Sequence, residues 1–212
     1  MENEVISWEK IYRKGPFFSL ESPHEDVEFL HDFFQQNKIE EILDLGCGDG
    51  RHLHYFCRLG YRMYGLDNAR TGLRLAQERL TKEALSAELV CADMTAIPLS
   101  DSSFDAIVGM QVIYHNPIDG IRRTILEIHR VLKPAGWFFV TVSTCKPPGP
   151  IRFRSGVEIE PSTMVMDEGP DQGVPHHFFT MPELLEEFSC FNLVDFHWDS
   201  QSRACLLLRK EE

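Results

Sequence analysis

A glycine-rich turn comes directly after a short apolar run that contains a carboxylate. The stretch ILDLGCGDGR, residues 42–51, contains Asp44 followed by Gly46, Gly48 and Gly50. Glycines let the main chain approach a ligand closely, and the start of a following helix offers unpaired N–H groups. The turn therefore predicts a site for a polar ligand at the carboxyl end of a buried strand.

Two further carboxylates follow the next two apolar runs. YRMYGLD ends at Asp67, and CADMTAIPL contains Asp93 followed by Met94. A carboxylate at the tip of the second strand can accept both hydroxyls of a ribose, and an acid and a thioether suit the amine and the ring face of adenine. Together with the glycine turn, these positions predict a cofactor that carries a nucleoside.

The spacing of the glycines distinguishes between two classes of nucleoside cofactor. A dinucleotide fingerprint has the order GxGxxG, and its third glycine allows close packing of helix against strand. Here Arg51 stands at that third position. The sequence therefore disfavours a dinucleotide, although a nicotinamide-dependent oxidoreductase stays open as an alternative.

The elements that must position these residues alternate between apolar runs and helical periodicity. Near-continuous apolar runs, typical of strands buried on both faces, occupy residues 41–45, 62–66, 88–91, 104–110 and 137–143. Between them, three- and four-residue spacing predicts helices with the apolar faces Leu53, Phe56 and Leu59; Leu73, Ala76 and Leu80; and, behind Pro117, Ile121, Ile125, Ile128 and Leu132. This alternation predicts an α/β fold with a doubly wound, mostly parallel sheet.

The ends of the remaining elements also carry signals. SPHE at Ser22 and TMPE at Thr180 place a hydroxyl three residues before a glutamate, which predicts two capped helix starts. The apolar runs 193–198 and 204–208 are separated by a short polar stretch. So short a connection cannot hold a crossover helix, so these two strands are predicted to form an antiparallel hairpin.

The length and composition of the chain fit one domain. It has 212 residues, of which 43% are hydrophobic, enough for a full core. We expect a single domain over residues 1–212, with an N-terminal helical extension or lid (1–38), a cofactor-binding core (39–145), a substrate-side loop or lid (146–179) and a C-terminal helix and hairpin (180–212). The stretch 146–175 is rich in proline and glycine with weak periodicity, which predicts an irregular loop.

Charge and cysteine usage restrict the partners and the compartment. The formal net charge is −12, from 21 Lys and Arg against 33 Asp and Glu, and such a field repels nucleic acid and anionic membrane surfaces. The six cysteines form no CxxC pair, which indicates reduced thiols and no metal site. No apolar run approaches the roughly 20 residues of a membrane span. We expect a soluble, cytoplasmic protein without a nucleic-acid or membrane partner.

In their order along the chain, these motifs resemble those of the class I S-adenosylmethionine-dependent methyltransferases. The resemblance covers about residues 40–145 and is carried by LDLGCGDG, GLD, CADM, FDAIVGMQVIYHN and VLKPAGWFFVTV. It implies a Rossmann-like methyltransferase fold with a seven-stranded sheet whose last strand is reversed, in agreement with the predicted hairpin. It also implies S-adenosyl-L-methionine as the cofactor and S-adenosyl-L-homocysteine as the product.

The resemblance further implies roles for individual residues. Asp44 orients the turn and the ammonium group of the cofactor, Asp67 holds the ribose, and Gln111 offers its backbone carbonyl to the ammonium group. The turn residues make room for the methionine part, and an acid and a thioether hold the adenine. The complete predicted cofactor-binding set is Asp44, Gly46, Cys47, Gly48, Asp67, Asn68, Asp93, Met94 and Gln111.

Methyl transfer from a sulfonium is an in-line displacement that needs alignment rather than a protein nucleophile. A general base matters only if the acceptor is protonated at neutral pH. His115, just past the fourth strand, is the candidate catalytic residue, with closing of the pocket as its alternative role. The predicted substrate-side or lid residues are Trp8, Tyr12, Tyr114, His176 and His177, with Phe17 as a third aromatic residue of the N-terminal extension.

The sequence thus predicts methyl transfer to an unidentified small-molecule acceptor. A protein acceptor with a basic tail is less easily excluded than nucleic acid, because the acidic charge of the chain would suit it. A nicotinamide-dependent oxidoreductase and a non-catalytic S-adenosylmethionine-binding scaffold or regulator are the alternatives. The reacting atom of the acceptor and the oligomeric state do not follow from the sequence.

Overall fold

The computed structural model of the protein describes residues 7–14, 22–146 and 155–212. The strands of these residues are β1 (Glu41–Leu45), β2 (Arg62–Asp67), β3 (Glu88–Cys91), β4 (Phe104–Met110), β5 (Leu132–Val142), β6 (Gly156–Glu160), β7 (Thr163–Met166), β8 (Pro175–His177), β9 (Asn192–Trp198) and β10 (Ala204–Arg209). The helices are α1 (Trp8–Arg13), α2 (Val27–Gln36), α3 (Arg51–Arg58), α4 (Arg70–Lys82), α5 (Ile118–Val131) and α6 (Met181–Glu187).

Seven strands form the main sheet in the order β3-β2-β1-β4-β5-β10-β9. Strands β1 to β5 pair in parallel, and β10 is antiparallel to both β5 and β9. This confirms the predicted doubly wound α/β sheet and its C-terminal hairpin. Strand β5 begins five residues earlier than predicted, because α5 passes into it at Leu132 without a loop.

Helices cover both faces of the sheet and divide the core into two layers. On one face, Leu30 and Phe34 of α2 pack with Phe56 of α3 and with residues of α4. On the other face, α5 and α6 pack against the opposite side chains of the same strands, and Phe138 lies in this second layer. Alternation of buried side chains between two layers explains why the central strands read as continuous apolar runs.

One predicted helical face is shorter than expected. Leu59 was grouped with Leu53 and Phe56, but α3 ends at Arg58 and Leu59 is 41% exposed. Gly60 follows with φ of +89°, a backbone conformation that ends helices and favours glycine. Leu59 therefore caps α3 and lies outside the core.

The two predicted capping boxes have different outcomes. At Thr180, the hydroxyl accepts from the backbone N of Glu183 and the glutamate accepts in return, which confirms the capped start of α6. The box at Ser22 is wrong, because α2 begins at Val27. The glutamate of that motif, Glu25, instead accepts the backbone N–H of Ser200 at 2.7 Å. A tertiary partner has replaced the local cap.

Within the stretch 146–175, for which an irregular loop is predicted, the described residues 155–175 are more regular than a loop. Strands β6, β7 and β8 form an antiparallel three-stranded sheet that ends just before Phe179. A bridge between Thr144 and Phe179 connects the flanks of this insertion. Its proline and glycine content concealed the strands, since such residues are typical of loops. In the described parts of the chain, no helix is long and apolar enough to cross a membrane.

Candidate active site

A cavity opens at the carboxyl ends of β1, β2 and β4, where the strand order reverses between β1 and β4. Open α/β sheets bind their ligands at this point. Eleven of the predicted site residues line the cavity: Trp8, Tyr12, Gly46, Cys47, Gly48, Asp67, Asn68, Met94, Gln111, Tyr114 and His115. Asp44 lies buried at the end of β1, and Asp93, His176 and His177 lie outside the lining.

The glycine turn needs its glycines for two reasons. Gly46, Gly48 and Gly50 have φ of +66°, +55° and +80°, which L side chains rarely adopt. A Cβ at Gly46 would also overlap the side chain of Val112, and one at Gly50 would lie 2.7 Å from the Cβ of Ala76. Gly50 thus allows close packing of the turn against α4, one residue before the place where a dinucleotide motif has its third glycine.

Asp67 ties the glycine turn to the end of β2. Its Oδ2 accepts the backbone N–H of Gly48 at 2.9 Å, and its Oδ1 accepts that of Ala69 at 2.8 Å. Burial raises the pKa of Asp67, and these backbone hydrogen bonds oppose the rise. A carboxylate has about four acceptor positions, so each oxygen retains capacity for one hydroxyl of a vicinal pair.

Asp44 is an acid enclosed by the protein. It is 1% exposed, and its Oδ2 has no hydrogen-bond partner among the described residues. Burial raises its pKa to about 8, and the charge of Arg51 works against this rise. A buried polar atom without a partner is costly and indicates a missing ligand. A cationic group in the adjoining cavity would satisfy this carboxyl.

Gln111 connects the turn to β4 and β5 in a strained conformation. Its φ is +61°, unusual for a residue other than glycine. Its backbone N donates to Thr141 Oγ1 at 2.8 Å, and its Oε1 accepts from Arg51 Nη2 at 3.0 Å. Backbone strain of this kind clusters at functional sites. Arg51 also lines the cavity.

The adenine residues predicted after β3 separate in the structure. Met94 lines the cavity, and its sulfur lies 3.6 Å from Asn116 Nδ2. Asp93 is exposed, and its Oδ1 accepts from the backbone N of Thr95 at 2.8 Å and from Thr95 Oγ1 at 2.7 Å. An aspartate that bonds its own turn two residues on is a frequent turn device, so the Asp93 carboxylate does not reach the cavity.

Helix α1 lies over the glycine turn. Tyr12 places its hydroxyl where a Cβ of Gly48 would be, and burial beside Asp67 raises the tyrosine pKa. Glu9 holds the helix in place by accepting from the backbone N and the Oγ1 of Thr71, both at 2.9 Å. The predicted aromatic residue Phe17 lies outside the described residues.

An aromatic wall forms the other side of the cavity. The ring of His115 lies 4.9 Å from that of Trp8, 4.3 Å from that of Tyr114 and 4.5 Å from that of His176. The two adjacent histidines point to different surroundings. His176 Nε2 lies 2.9 Å from Asp171 Oδ2, whereas His177, fully buried, bonds Thr163 Oγ1 through Nδ1 at 2.8 Å.

Two other titratable residues of the lining are neutral. Burial raises the pKa of the Cys47 thiol well above its usual range, with Asp44 and Asp67 adding to the effect. Burial lowers the pKa of His52 well below its usual range, and Arg51 adds to that effect. His52 Nε2 accepts the backbone N–H of His24 at 3.2 Å. Neither residue supplies a charge to the cavity.

Sequence reasoning missed three polar residues that reach the cavity from outside the cofactor-binding core. Asp171, Gln201 and Arg203 line the cavity, although they come from the small sheet insertion and from the turn between β9 and β10. They follow no motif of the cofactor half, and only the tertiary fold brings them to this edge. No pattern in the sequence could have placed them there.

Residues 43–140 match a family model described as a methyltransferase domain. An uncharacterized methyltransferase of Bacillus subtilis is 30% identical over 111 residues, which cover 52% of this chain and 46% of that protein. A ubiquinone biosynthesis O-methyltransferase of Bartonella tribocorum is 31% identical over 100 residues, or 47% of this chain and 40% of that protein. The chain therefore spans less than half the length of these curated relatives.

Two solved structures share the whole fold. A protein of Pyrococcus horikoshii has a TM-score of 0.78 at 18% identity and covers 97% of this chain and 100% of its own. A SAM-dependent methyltransferase of Methanosarcina mazei has a TM-score of 0.72 at 22% identity and covers 90% of this chain and 99% of its own. By the match of residues 43–140 and by its sheet topology, the chain carries a methyltransferase domain of the class I S-adenosylmethionine-dependent type, whose cofactor is S-adenosyl-L-methionine.

Proposed function

We propose that this chain transfers the methyl group of S-adenosylmethionine to a small-molecule acceptor. The observation that carries the proposal is the buried Asp44, whose Oδ2 has no partner among the described residues. The charge of Arg51 favours its ionised form only in part, and a cation in the cavity would favour it further. Its position next to the glycine turn and Asp67 suits the ammonium group of an amino-acid-bearing nucleoside. A nicotinamide dinucleotide carries no such ammonium group.

The residues of the cavity would hold the cofactor by distinct interactions. Asp44 would balance the ammonium group, and the remaining acceptor capacity of Asp67 would take the ribose hydroxyls. The rest of the predicted set inside the lining would surround the methionine part and the adenine: Gly46, Cys47, Gly48, Asn68, Met94 and Gln111. Asp93 would contribute only through its backbone, because its carboxylate bonds Thr95.

The bound cofactor supplies an electrophilic methyl group on a positively charged sulfur. The protein needs to align the acceptor with that group and to exclude water, and alignment alone can contribute as much as roughly 7 to 11 kcal/mol. Trp8 and Tyr12 on α1 would close the cavity as a lid over residues of the core. Their rings would also stabilise a nearby cation by about 0.5 to 2 kcal/mol.

His115 would accept the proton of an acceptor that is protonated at neutral pH. It lines the cavity between Trp8 and Tyr114, and imidazole is the side chain suited to proton transfer near neutrality. His176 would support this role from behind, in contact with His115 and Asp171. The substrate-side segment 146–179 and the extension 1–38 would thus form the acceptor half of the site.

A small molecule is favoured over nucleic acid because the net charge of −12 repels phosphate backbones. The test is a transfer screen with methyl-labelled S-adenosylmethionine against phenols, thiols, amines and short basic peptides. Label in a small-molecule product supports the proposal. Binding of the cofactor without transfer to any class would instead identify a scaffold, and label in the peptides would identify a protein acceptor.

A further inference from the structure

The cavity contains an arginine that the binding of the cofactor does not use. Arg203 lies in the turn between β9 and β10 and lines the cavity. Its side chain is 15% exposed. A guanidinium stays charged under all ordinary conditions, and a largely buried charge is costly unless an anion balances it. The surroundings of Arg203 therefore indicate what enters this end of the cavity.

The turn that carries Arg203 is fixed by two carboxylates, the buried Asp199 and the exposed Glu25. Asp199 Oδ1 accepts the backbone N–H groups of Gln201 and Arg203 at 2.9 and 2.8 Å. Its Oδ2 accepts from Arg203 Nε at 2.8 Å and lies 3.1 Å from His24 Nε2. From outside the turn, Glu25 accepts the backbone N–H of Ser200. The guanidinium is thus held before any ligand arrives, which lowers the entropy cost of binding.

Asp199 leaves the terminal nitrogens of the guanidinium unused. A carboxylate that neutralised the arginine fully would face two of its nitrogens in a bidentate pair, but Asp199 contacts only Nε. No other carboxylate of the described ranges forms an ion pair with Arg203. The guanidinium also hydrogen-bonds the hydroxyl of Tyr114 in the cavity wall, which uses one of its five donors. It retains donors for an anion in the cavity.

Arg203 lies on the acceptor side of the cavity. Arg51, the other arginine of the lining, is at the glycine turn and bonds Gln111. Arg203 adjoins Tyr114, whose ring packs against His115, and its charge also reaches Arg51. The wall of Tyr114 and His115 is the one assigned to the acceptor under the proposed function. We therefore assign an anion at Arg203 to the acceptor, and the carboxylate of the cofactor is the competing assignment.

The neighbours of Arg203 also limit the shape and charge of this anion. The rings of Trp8, Tyr114 and His115 present flat apolar surfaces, which suit a planar ring. Asp171, whose Oδ2 lies 2.9 Å from His176 Nε2, lines the same end and repels a dianion such as a phosphate monoester more strongly than a single negative charge. A single negative charge on a flat molecule fits both conditions, and a carboxylate matches the planar fork of arginine.

We propose that Arg203 binds the carboxylate of a flat, ring-containing acceptor acid. This inference rests on the proposed methyl-transfer function, because it takes the cavity beyond the cofactor as the acceptor site. The proposed acceptors are therefore aromatic or heteroaromatic carboxylic acids. Neutral rings, amines and phosphate esters are not expected to be acceptors.

The test uses the full chain saturated with S-adenosylhomocysteine and three probes of similar shape. Benzoate, benzamide and benzylamine are compared by the shift each causes in the melting temperature. The variants are Arg203→Gln and, as a matched control, Arg209→Gln, which removes the same charge from an exposed position at the end of β10, the strand that follows Arg203. We expect benzoate to raise the melting temperature of the wild type and of Arg209→Gln, but not of Arg203→Gln.

Several results would overturn the inference. These are no shift with benzoate in the wild type, an equal shift with benzamide or benzylamine, and a benzoate shift that survives in Arg203→Gln. If Arg203→Gln does not fold, Arg203→Lys takes its place, because it keeps the charge but loses the planar fork. We then expect benzoate affinity to fall by about tenfold, and unchanged affinity would contradict the inference.

Calorimetry with S-adenosylhomocysteine separates the two proposals. We expect Arg203→Gln to bind this compound with an affinity within about twofold of the wild type. A loss of about tenfold or more would assign Arg203 to the carboxylate of the cofactor and would overturn the inference. A wild type that binds no S-adenosylhomocysteine would instead refute the proposed function itself.

Discussion

The electrostatics of the site depend mainly on one residue, Asp44. A carboxyl group with almost no exposure and one unpartnered oxygen is destabilising unless it is protonated or meets a cation. Its pKa of about 8 means that it is largely protonated at neutral pH in the free chain. A cationic ligand that requires the ionised form must therefore displace a proton.

Cofactor affinity should consequently depend on pH through Asp44. Below a pKa of about 8 the carboxyl is neutral, so affinity for S-adenosylhomocysteine should fall by up to about tenfold for each pH unit below 8. Calorimetric titrations between about pH 6 and 8 measure this slope. In Asp44→Asn, affinity near pH 8 should be about 10- to 100-fold lower and the slope should disappear. An identical slope in the variant would show that another group titrates.

His115 can be tested by removing its basicity while keeping its polarity. If the acceptor needs a base, His115→Asn should lower kcat by about 100-fold or more, with unchanged affinity for S-adenosylhomocysteine. His54→Asn, on the same chain but outside the cavity lining, is the control. Unchanged turnover with the physiological acceptor would remove His115 from the chemistry and leave it the role of closing the pocket.

The sequence predicted the residues near the glycine turn well and those at the acceptor end poorly. Asp44, Asp67 and Met94 belong to short motifs in which local geometry determines position. Asp93 fits the same motif, but its carboxylate bonds the adjacent Thr95, a competition that spacing does not reveal. Arg203 reaches the cavity because β10 runs antiparallel to β5, which places the turn before Ala204 beside Val142 at the carboxyl end of β5.

At the scale of elements, the position of α1 depends on the N-terminus of another helix, α4. Ala69 cannot cap the N-terminus of α4 with its side chain, and Glu9 of α1 supplies the missing acceptor to Thr71. These hydrogen bonds lower the pKa of Glu9. The contact couples the docking of α1, and thus of Trp8 and Tyr12, to the strand that carries Asp67.

Removal of this contact should loosen α1. We expect Glu9→Ala to weaken binding of S-adenosylhomocysteine several-fold and to speed amide hydrogen exchange in residues 8–13, because α1 loses its anchor while the core stays intact. Glu78→Ala, on the exposed side of α4, should change neither. Exchange rates in α1 that match the wild type would mean that packing of Tyr12 over the turn suffices to hold the helix.

Two elements differ from their sequence-based predictions for physical reasons. The N-terminal cap of α2 is missing because Glu25 bonds the turn between β9 and β10, a tertiary contact that overrides a local signal. The stretch after β5 forms strands because pairing between β7 and its two neighbours satisfies their backbone groups. Neither outcome can be predicted from a stretch of only a few residues.

At the scale of the whole molecule, a buried network joins the N-terminal segment to the C-terminal hairpin. His24, 6% exposed, lies between Asp199 and Asp26, and Asp26 also contacts His197. Burial opposes the charge of His24, but its hydrogen bonds to the two aspartates outweigh this and raise its pKa. Burial likewise opposes the charge of Asp199, and hydrogen bonds from His24 and Arg203 outweigh it and lower its pKa.

The network should make stability depend on pH. The contribution of His24 is full below its unfolded pKa of 6.5 and is lost as pH rises through its raised folded value. The contribution of Asp26 and Asp199 is present above 3.8 and is lost as pH falls through their lowered folded values. The network therefore stabilises the fold most between about pH 3.8 and 6.5.

Replacing His24 tests this dependence. We expect His24→Asn to lower the free energy of unfolding by about 1 to 3 kcal/mol, with the largest loss near pH 5 and a smaller one near pH 8. Denaturant unfolding across this pH range measures the loss of stability. His54→Asn, which removes a histidine outside the network, is the control. A loss that is uniform with pH would mean that packing rather than charge accounts for the role of His24.

The fold as a whole was the most predictable feature. The alternation of apolar runs and helical faces predicted the five parallel strands, and the short connection near the C-terminus predicted the reversed edge. These features follow from periodicity and connection length, and both can be read directly from the sequence. The acceptor half of the site depends on how the insertion and the hairpin approach the sheet, so only the structure could reveal it.

Calorimetric titration of the full chain with S-adenosylhomocysteine, beside NAD, tests most directly whether Asp44, the glycine turn and Asp67 form a methyl-donor site. We predict saturable binding of one S-adenosylhomocysteine per chain, its loss in Asp67→Ala, and no heat with NAD. Folded protein that gives no heat with S-adenosylhomocysteine, or that binds NAD instead, would contradict the assignment of this cavity.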